Sequence, residues 1–130
     1  MKHRMTIQVR FYELDPYGHV NHSVYIQYFE AARVRWLTEV GFSLDKLQDD
    51  GIQLVVAEIH TRYLGSAGPD DELVVETELA GLRRVTMTFE QRVRRGEQTL
   101  VEQTITAACI NEAGRPIRAP EALVAALTSG

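Results

Sequence analysis

Hydrophobic and polar residues alternate along most of this chain, but one segment has a longer period. The stretch 5–11 alternates strictly, which predicts a half-buried β-strand. From about Ser23 to Val40, apolar residues instead recur at spacings of three and four, and Gly41 follows where a helix commonly ends. This spacing predicts a helix of about 18 residues with one broad apolar face.

Four further alternating segments follow the helix, and short connections join them. They cover residues 52–64, 73–79, 85–93 and 101–109. Consecutive strands with short connections favour an antiparallel meander, and a short helix is predicted over 121–127. A five-stranded sheet with one apolar face needs a cover, which the long helix can provide. The pattern therefore predicts an α+β fold.

The alternation also predicts which side chains share a face of the strand over 52–64. Val55, Ile59 and Tyr63 fall on one face, and Val56 and Glu58 fall on the other. An outward Val56 would add apolar surface to a sheet whose edge strands already need pairing or covering. We therefore expect an oligomer rather than a monomer.

Size and composition exclude several classes of protein. A chain of 130 residues is expected to form one domain, and a hydrophobic content of 45% is ordinary for a globular protein. The net charge of −4 gives no support to nucleic-acid binding, which usually needs a basic face. No apolar stretch approaches the roughly 20 residues that cross a bilayer. The one cysteine, Cys109, cannot form an internal disulfide, so a cytoplasmic location is expected.

The densest group of reactive side chains lies just before the long helix. The segment 13–23 reads Glu-Leu-Asp-Pro-Tyr-Gly-His-Val-Asn-His-Ser, in which Asp15, His19 and His22 lie within eight residues. A helix N-terminus presents unpaired backbone N–H groups and a partial positive charge. A carboxylate beside such donors can attack a carbonyl whose oxygen the N–H groups polarise. This segment is the candidate active site.

Each of these residues also has a structural interpretation. Asp15 before Pro-x-Gly is common turn chemistry, and Asn21 is the expected N-cap of the helix, which would keep the His22 N–H aimed at a substrate. His19 can hydrogen-bond within the loop or contact substrate. The spacing of His19 and His22 is not a recognised zinc pattern, so we expect no metal site.

The order of motifs resembles a known enzyme family. Residues 15–21, followed by Tyr25 and an aromatic-rich helix, are similar to the signature of the hotdog-fold acyl-CoA thioesterases of the 4-hydroxybenzoyl-CoA thioesterase type. The segments 57–64, 67–73 and 115–120 resemble later parts of that family, in the same order. The resemblance implies that residues 1–130 form a single hotdog domain, with a five-stranded antiparallel sheet wrapped around a long central helix.

The resemblance also implies a reaction. It predicts hydrolysis of acyl-CoA or acyl-carrier-protein thioesters without a cofactor, with Asp15 as nucleophile or general base and the backbone N–H of His22 on the thioester oxygen. The rest of the candidate catalytic segment consists of Gly18, His19, Asn21 and Tyr25. The family is dimeric or tetrameric, with each active site between two subunits. The His-Val-Asn sequence resembles the broader acyl-CoA and carrier-protein thioesterases more than the benzoyl type.

Three further residues are candidates for substrate binding or, in the case of Glu58, for the reaction itself. Arg83 and Arg84 match a basic position that lies near the coenzyme A nucleotide in the family, and paired arginines suit phosphate, although a solvated turn is also compatible. Glu58 is a reserve candidate for the catalytic carboxylate, because some hotdog enzymes carry a glutamate elsewhere in the fold. Two other functions stay open: a hotdog dehydratase or hydratase acting on 3-hydroxyacyl thioesters, and a non-catalytic acyl-binding module.

Overall fold

The computed structural model describes residues 2–129, so Met1 and Gly130, the ends of the predicted domain, lie outside the described residues. Five strands are present: β1 Lys2–Gln8, β2 Gln53–Tyr63, β3 Glu72–Leu82, β4 Thr86–Arg95 and β5 Gln98–Ile110. Three α-helices accompany them: α1 His22–Glu39, α2 Leu44–Asp49 and α3 Glu121–Thr128. A 3₁₀ turn occupies Phe11–Glu13.

The strands form one antiparallel sheet in the order β1-β3-β4-β5-β2. The prediction of an α+β fold with a five-stranded antiparallel sheet is therefore confirmed. The first strand begins earlier than predicted, because residues 2–4 already pair with β3. It also ends earlier, because residues 10–13 form a tight turn in which the backbone N–H of Arg10 donates to the Glu13 carboxylate. The two edges of the sheet are β1 and β2.

Helix α1 packs on one face of the sheet, against β3 and also against β1 and β4. Its buried side chains follow the predicted apolar spacing: Tyr25, Tyr28, Phe29, Ala32, Trp36 and Leu37. They belong to two hydrophobic clusters, one around Phe29 and Val75 and one around Trp36 and Phe89. A row of polar side chains separates the two clusters on the helix side of the sheet.

The predicted faces of β2 are wrong in their first half. The register between β2 and β5 shifts between Val56 and Glu58, which marks a β-bulge at Ala57. A bulge inserts one extra residue and so reverses the alternation on one side of it. Val56 therefore shares the helix side of the sheet with Ile59, whereas Val55 lies on the outer side.

Candidate active site

The loop before α1 holds the Asp15 side chain in a defined orientation. Oδ1 of Asp15 accepts hydrogen bonds from the backbone N–H groups of Tyr17 (2.9 Å) and His19 (3.1 Å). Two backbone hydrogen bonds close the loop: Asp15 N–H donates to the His19 carbonyl at 2.7 Å, and Gly18 N–H donates to the Asp15 carbonyl at 3.1 Å. Gly18 has a φ of +78°, a backbone conformation that favours glycine. No hydrogen bond from residues 2–129 reaches Oδ2, so that oxygen is available to a substrate.

The start of α1 leaves one backbone donor available. Asn21 is the N-cap, as predicted, and its Oδ1 accepts from Ser23 N–H at 3.0 Å. The Val24 N–H donates to the Asn21 carbonyl at 2.9 Å. Within residues 2–129 the His22 N–H has no acceptor, and His22 is exposed. A carbonyl oxygen placed there would meet an unused donor and the positive end of the helix dipole.

A buried carboxylate anchors this loop to the helix. Glu13 Oε1 accepts a 2.7 Å hydrogen bond from the Tyr28 hydroxyl, and the Glu13 carbonyl accepts from Asn21 N–H at 2.9 Å. Burial raises the pKa of Tyr28, and the bond to Glu13 raises that pKa further. Sequence reasoning did not select Glu13 or Tyr28 as site residues; the available signal was a tyrosine on the apolar face of a helix that follows an acidic loop.

Two further tyrosines connect the helix start to its surroundings. The Tyr25 hydroxyl accepts from Ala67 N–H at 2.9 Å, and burial raises the Tyr25 pKa, although the Ala67 bond partly opposes that shift. Tyr25 was predicted as a site residue, and its hydroxyl is committed to this contact. Tyr63, which sequence reasoning missed, donates from its hydroxyl to the His22 carbonyl at 2.8 Å. Its position at the end of a predicted strand gave no sign of this contact.

The loop between β2 and β3 completes the neighbourhood. Val20 N–H donates to the Ala67 carbonyl at 2.9 Å, which joins the two loops. Asp71 Oδ2 accepts from Gly68 N–H (2.9 Å) and from Arg95 Nη1 (2.8 Å), and these two contacts lower the Asp71 pKa. The loop beside Asp15 is thus fixed by backbone and ion-pair contacts rather than by packing alone.

The other predicted site residues lie away from this loop. Glu58 pairs with Thr106 across the sheet and faces away from α1, so its position does not support it as the catalytic carboxylate. Arg83 and Arg84 are exposed in the β3–β4 turn. The start of β3 adjoins the Asp15 loop, and β3 has 11 residues, so its two ends lie roughly 33 Å apart. Within one subunit the arginines are therefore remote from Asp15.

Two further observations concern the described residues. Among residues 2–129, no cluster of three or more histidine, cysteine or acidic side chains could hold a metal ion. In the same range, no helix has both the length and the apolar content to cross a membrane.

The arrangement can act on a carbonyl. It combines a carboxylate with one fixed and one unpartnered oxygen, and an unused backbone N–H at the start of a helix. Such a pair can add the carboxylate, or a water that it activates, to a carbonyl carbon while the N–H binds the carbonyl oxygen.

Comparison with known proteins gives a consistent picture. An acyl-CoA thioesterase, YbgC of Haemophilus influenzae, is 31% identical over 122 residues, which are 92% of this chain and 90% of that protein. The chloroplastic acyl-acyl carrier protein thioesterase ATL2 of Arabidopsis thaliana is 28% identical over 91% of this chain and 64% of that protein, so this chain spans less than two thirds of it. A thioesterase from Thermus thermophilus, crystallised with coenzyme A and zinc, matches with a TM-score of 0.83 and 32% identity over 96% of this chain and 90% of that one.

The family model for the thioesterase-like superfamily matches residues 9–127, a span that includes the Asp15 loop, α1 and all of β2 to β5. Fold, order of motifs and sequence similarity therefore agree, and the chain belongs to the thioesterase-like superfamily, as a hotdog-fold protein of the acyl-CoA thioesterase type.

Proposed function

We propose that this protein hydrolyses acyl-CoA or acyl-carrier-protein thioesters to a free acid and a thiol. One observation carries the proposal: Asp15 Oδ1 is held by two backbone N–H groups, while Oδ2 and the His22 N–H, seven residues further along the chain, are unpartnered within residues 2–129. The thioester oxygen would accept from His22 N–H, and Oδ2 would face the carbonyl carbon. Gly18, His19 and Asn21 would shape the loop, and the Asp15 carboxylate would act as nucleophile or general base.

We infer that the active unit is at least a dimer of single hotdog domains, each with its sheet wrapped around α1. Strand β2 is an edge of 11 residues, and nearly all of them are exposed. If two copies of β2 pair antiparallel across a two-fold axis, Tyr63 of one copy approaches Gln53 of the other. The Gln53 end of the sheet carries the β3–β4 turn, because Cys109 N–H donates to the Val85 carbonyl there.

In such a dimer, the arginines of one subunit would serve the Asp15 site of the other. Arg83 and Arg84 line a surface cavity of about 760 Å³ together with Arg118, the Glu121 carboxylate and apolar residues of α3. Three guanidinium groups beside an apolar floor suit the phosphates and adenine of coenzyme A. Remote phosphate contacts contribute about equally to ground and transition states, so Arg83→Ala/Arg84→Ala should raise KM and leave kcat nearly unchanged. Added salt should reduce this effect.

The decisive test of the reaction is Asp15→Asn in a thiol-release assay with a panel of acyl-CoAs. The amide keeps the shape of the side chain and removes its basicity, so turnover should fall by about 100-fold or more, with little change in Tm. Glu58→Gln is the matched control and should retain activity. Undiminished hydrolysis by Asp15→Asn would move the chemistry elsewhere, and a wild type that releases no thiol would favour a dehydratase or a non-catalytic acyl-binding module.

The shared site has its own test. Mixing Asp15→Asn with Arg83→Ala/Arg84→Ala under conditions of subunit exchange gives heterodimers in which one site combines both defects and the other has neither. At subsaturating acyl-CoA, random pairing should restore about a quarter of the wild-type sites. If all contributions to a site came from one subunit, mixing would restore none. A cytoplasmic location stays a prediction, which fractionation would check.

A further inference from the structure

A row of polar side chains crosses the helix side of the sheet. Strand register aligns Thr77 of β3 with Gln91 of β4, Gln91 with Gln103 of β5, and Gln103 with Thr61 of β2. On both sides of this row the helix-facing residues are mainly apolar. Four polar residues in register inside an apolar layer are costly unless their groups are hydrogen-bonded.

In the half of the row nearer to β3, the side-chain amide of Gln91 is hydrogen-bonded through both its nitrogen and its oxygen. Gln91 Nε2 donates to the Phe29 carbonyl and to Thr77 Oγ1, both at 2.9 Å. Gln91 Oε1 accepts from Arg33 Nη1 at 2.8 Å. Arg33 enters from α1 and is half-buried, and desolvation lowers its pKa to about 10, although Glu30 opposes the shift. This contact uses one of the five N–H donors of the guanidinium.

In the half of the row nearer to β2, one buried polar group has no hydrogen-bond partner within residues 2–129. Gln103 is 2% exposed, and its Oε1 accepts from Thr61 Oγ1 at 2.9 Å. Its Nε2 is buried and has no hydrogen-bond partner within residues 2–129. Buried amide groups are nearly always partnered in folded proteins, so this donor can still take an acceptor, in a row whose other amide, Gln91, binds the half-buried Arg33.

The position of the row relates it to the candidate active site. Tyr63, which binds the His22 carbonyl, lies on β2 two residues from Thr61, toward the start of α1. Two residues of a strand span about 7 Å. Ile59 lies two residues from Thr61 in the other direction along β2. Beyond Ile59 is an open cavity of about 220 Å³, whose walls include Arg33, Val34 and Val56. An acyl group that entered from the helix start along β2 would meet the polar row before the apolar cavity.

We propose that Gln103 Nε2 and the Arg33 guanidinium form an oxygen-binding site in the acyl compartment, so that the enzyme selects acyl groups carrying a hydroxyl, carbonyl or carboxylate oxygen remote from the thioester. Both groups are donors, so their ligand must supply a hydrogen-bond acceptor. Thr61 orients the Gln103 amide by donating to its oxygen, which leaves the nitrogen for the ligand. This inference rests on the proposed thioesterase function and names its substrate class.

The test compares acyl-CoAs of equal length with and without a remote oxygen: hexanoyl-CoA, 6-hydroxyhexanoyl-CoA and adipoyl-CoA. The wild type should prefer at least one oxygenated substrate in kcat/KM by roughly ten-fold or more, as expected for one added hydrogen bond to a polar or charged partner. A preference for adipoyl-CoA would identify a carboxylate ligand, and a preference for 6-hydroxyhexanoyl-CoA a neutral oxygen. Gln103→Leu and Arg33→Met should each reduce the preference, while activity on hexanoyl-CoA persists.

Thr104→Val is the matched control, because it alters the neighbouring residue on the opposite face of β5 and should leave the preference intact. If Gln103→Leu does not fold, Thr61→Val, which releases the amide, decides instead. Equal kcat/KM for all three substrates, or a preference that survives in both Gln103→Leu and Arg33→Met, would overturn the inference. If no substrate is hydrolysed, the proposed function fails, and calorimetric affinities of Asp15→Asn for the same three acyl-CoAs still decide the inference.

Discussion

Edge strand β1 contributes seven residues and buries His3 and Met5 on its helix side, whereas edge strand β2 contributes 11 residues and buries none on its helix side, where only Leu54 and Thr61 are partly covered. On β2, Val56 is 49% exposed, Ile59 41% and Tyr63 45%, although all three point to the same side of the sheet as α1. The two strands occupy equivalent places in the sheet, so the difference lies in what covers them.

Helix α1 explains the asymmetry. It packs over β1, β3 and β4, and its last residue, Glu39, lies 3.3 Å from the His3 ring nitrogen. The β1 edge is also held on its outer side, where Arg4 Nε lies 3.0 Å from Glu76 Oε2. On the helix side of β2, α2 contacts the start of the strand, where Leu54 is partly buried, and Tyr63 contacts the start of α1, but Val56 and Ile59 stay exposed within residues 2–129.

The comparison supports the proposal that the active unit is at least a dimer. An exposed edge strand is a template for pairing with another chain, and an open apolar face beside it favours burial. In this chain the open edge adjoins the helix start, the polar row and the apolar cavity. The surface proposed for a second subunit and the compartment proposed for an acyl group therefore lie at the same place.

The largest effect is expected from a charge at the centre of β2. Ile59 lies near the middle of the strand, so in a two-fold dimer its side chain approaches the same residue of the other copy, where two lysines would repel. Ile59→Lys should give a monomer by light scattering and reduce turnover by roughly 100-fold. Thr6→Lys, a change at an exposed position of β1, is the control and should alter neither.

Charge reversal separates damage to the interface from damage to the fold. Ile59→Glu should also be monomeric, and mixing it with Ile59→Lys should restore a heterodimer and part of the activity. A monomeric Ile59→Lys that hydrolyses acyl-CoA at the wild-type rate would disprove the shared site and remove the functional meaning of the open edge.

A smaller effect is expected where β2 contacts the helix start. Tyr63→Phe keeps the ring and removes the hydrogen bond to the His22 carbonyl, so the first turn of α1 loses one restraint. One hydrogen bond corresponds to about 1 kcal/mol, so kcat should fall by roughly 5-fold with little change in Tm. Tyr63→Leu should fall further, because the ring contacts with His22 and Tyr25 are lost as well. Equal activity of wild type and Tyr63→Phe would show that Tyr63 acts through ring packing alone and that its hydrogen bond does not affect turnover.

The sequence predicted the elements that depend on local periodicity. The helix over 23–40 and the four later strands follow from spacing alone, and Asn21 as N-cap follows from the residue type. The bulge at Ala57 could not be predicted, since nothing in Val56-Ala57-Glu58 interrupts the alternation, and the extra residue is accommodated only against β5. A single unforeseen residue reversed the predicted faces of half a strand.

In the candidate site, too, the residues close in sequence were predicted and those that depend on distant contacts were not. Asp15 and the His22 N–H are sequence neighbours, so the loop and helix start predicted them together. Glu13, Tyr28 and Tyr63 were missed because their roles depend on contacts between residues 15 and 41 positions apart. Arg83 and Arg84 were predicted by resemblance; in the structure they lie remote from Asp15 of the same subunit, and their role in substrate binding stays a proposal.

The smallest effect is expected at the β1 edge, where Glu76 lies between Arg4 and Arg94. Burial would raise the pKa of Glu76, but the hydrogen bond and ion pairs to these arginines outweigh it, so the pKa is lowered. A lowered pKa in the folded state means that the carboxylate stabilises the fold above its unfolded pKa, and that this contribution disappears as pH falls through the folded value.

Glu76→Gln should therefore lower the free energy of unfolding, measured in urea at neutral pH, by about 1 kcal/mol or less. The difference from wild type should vanish in acid, while the oligomer and turnover stay unchanged. Dissociation of the oligomer by Glu76→Gln would show that β1, too, is an interface, and the contrast between the two edges would no longer locate the active site.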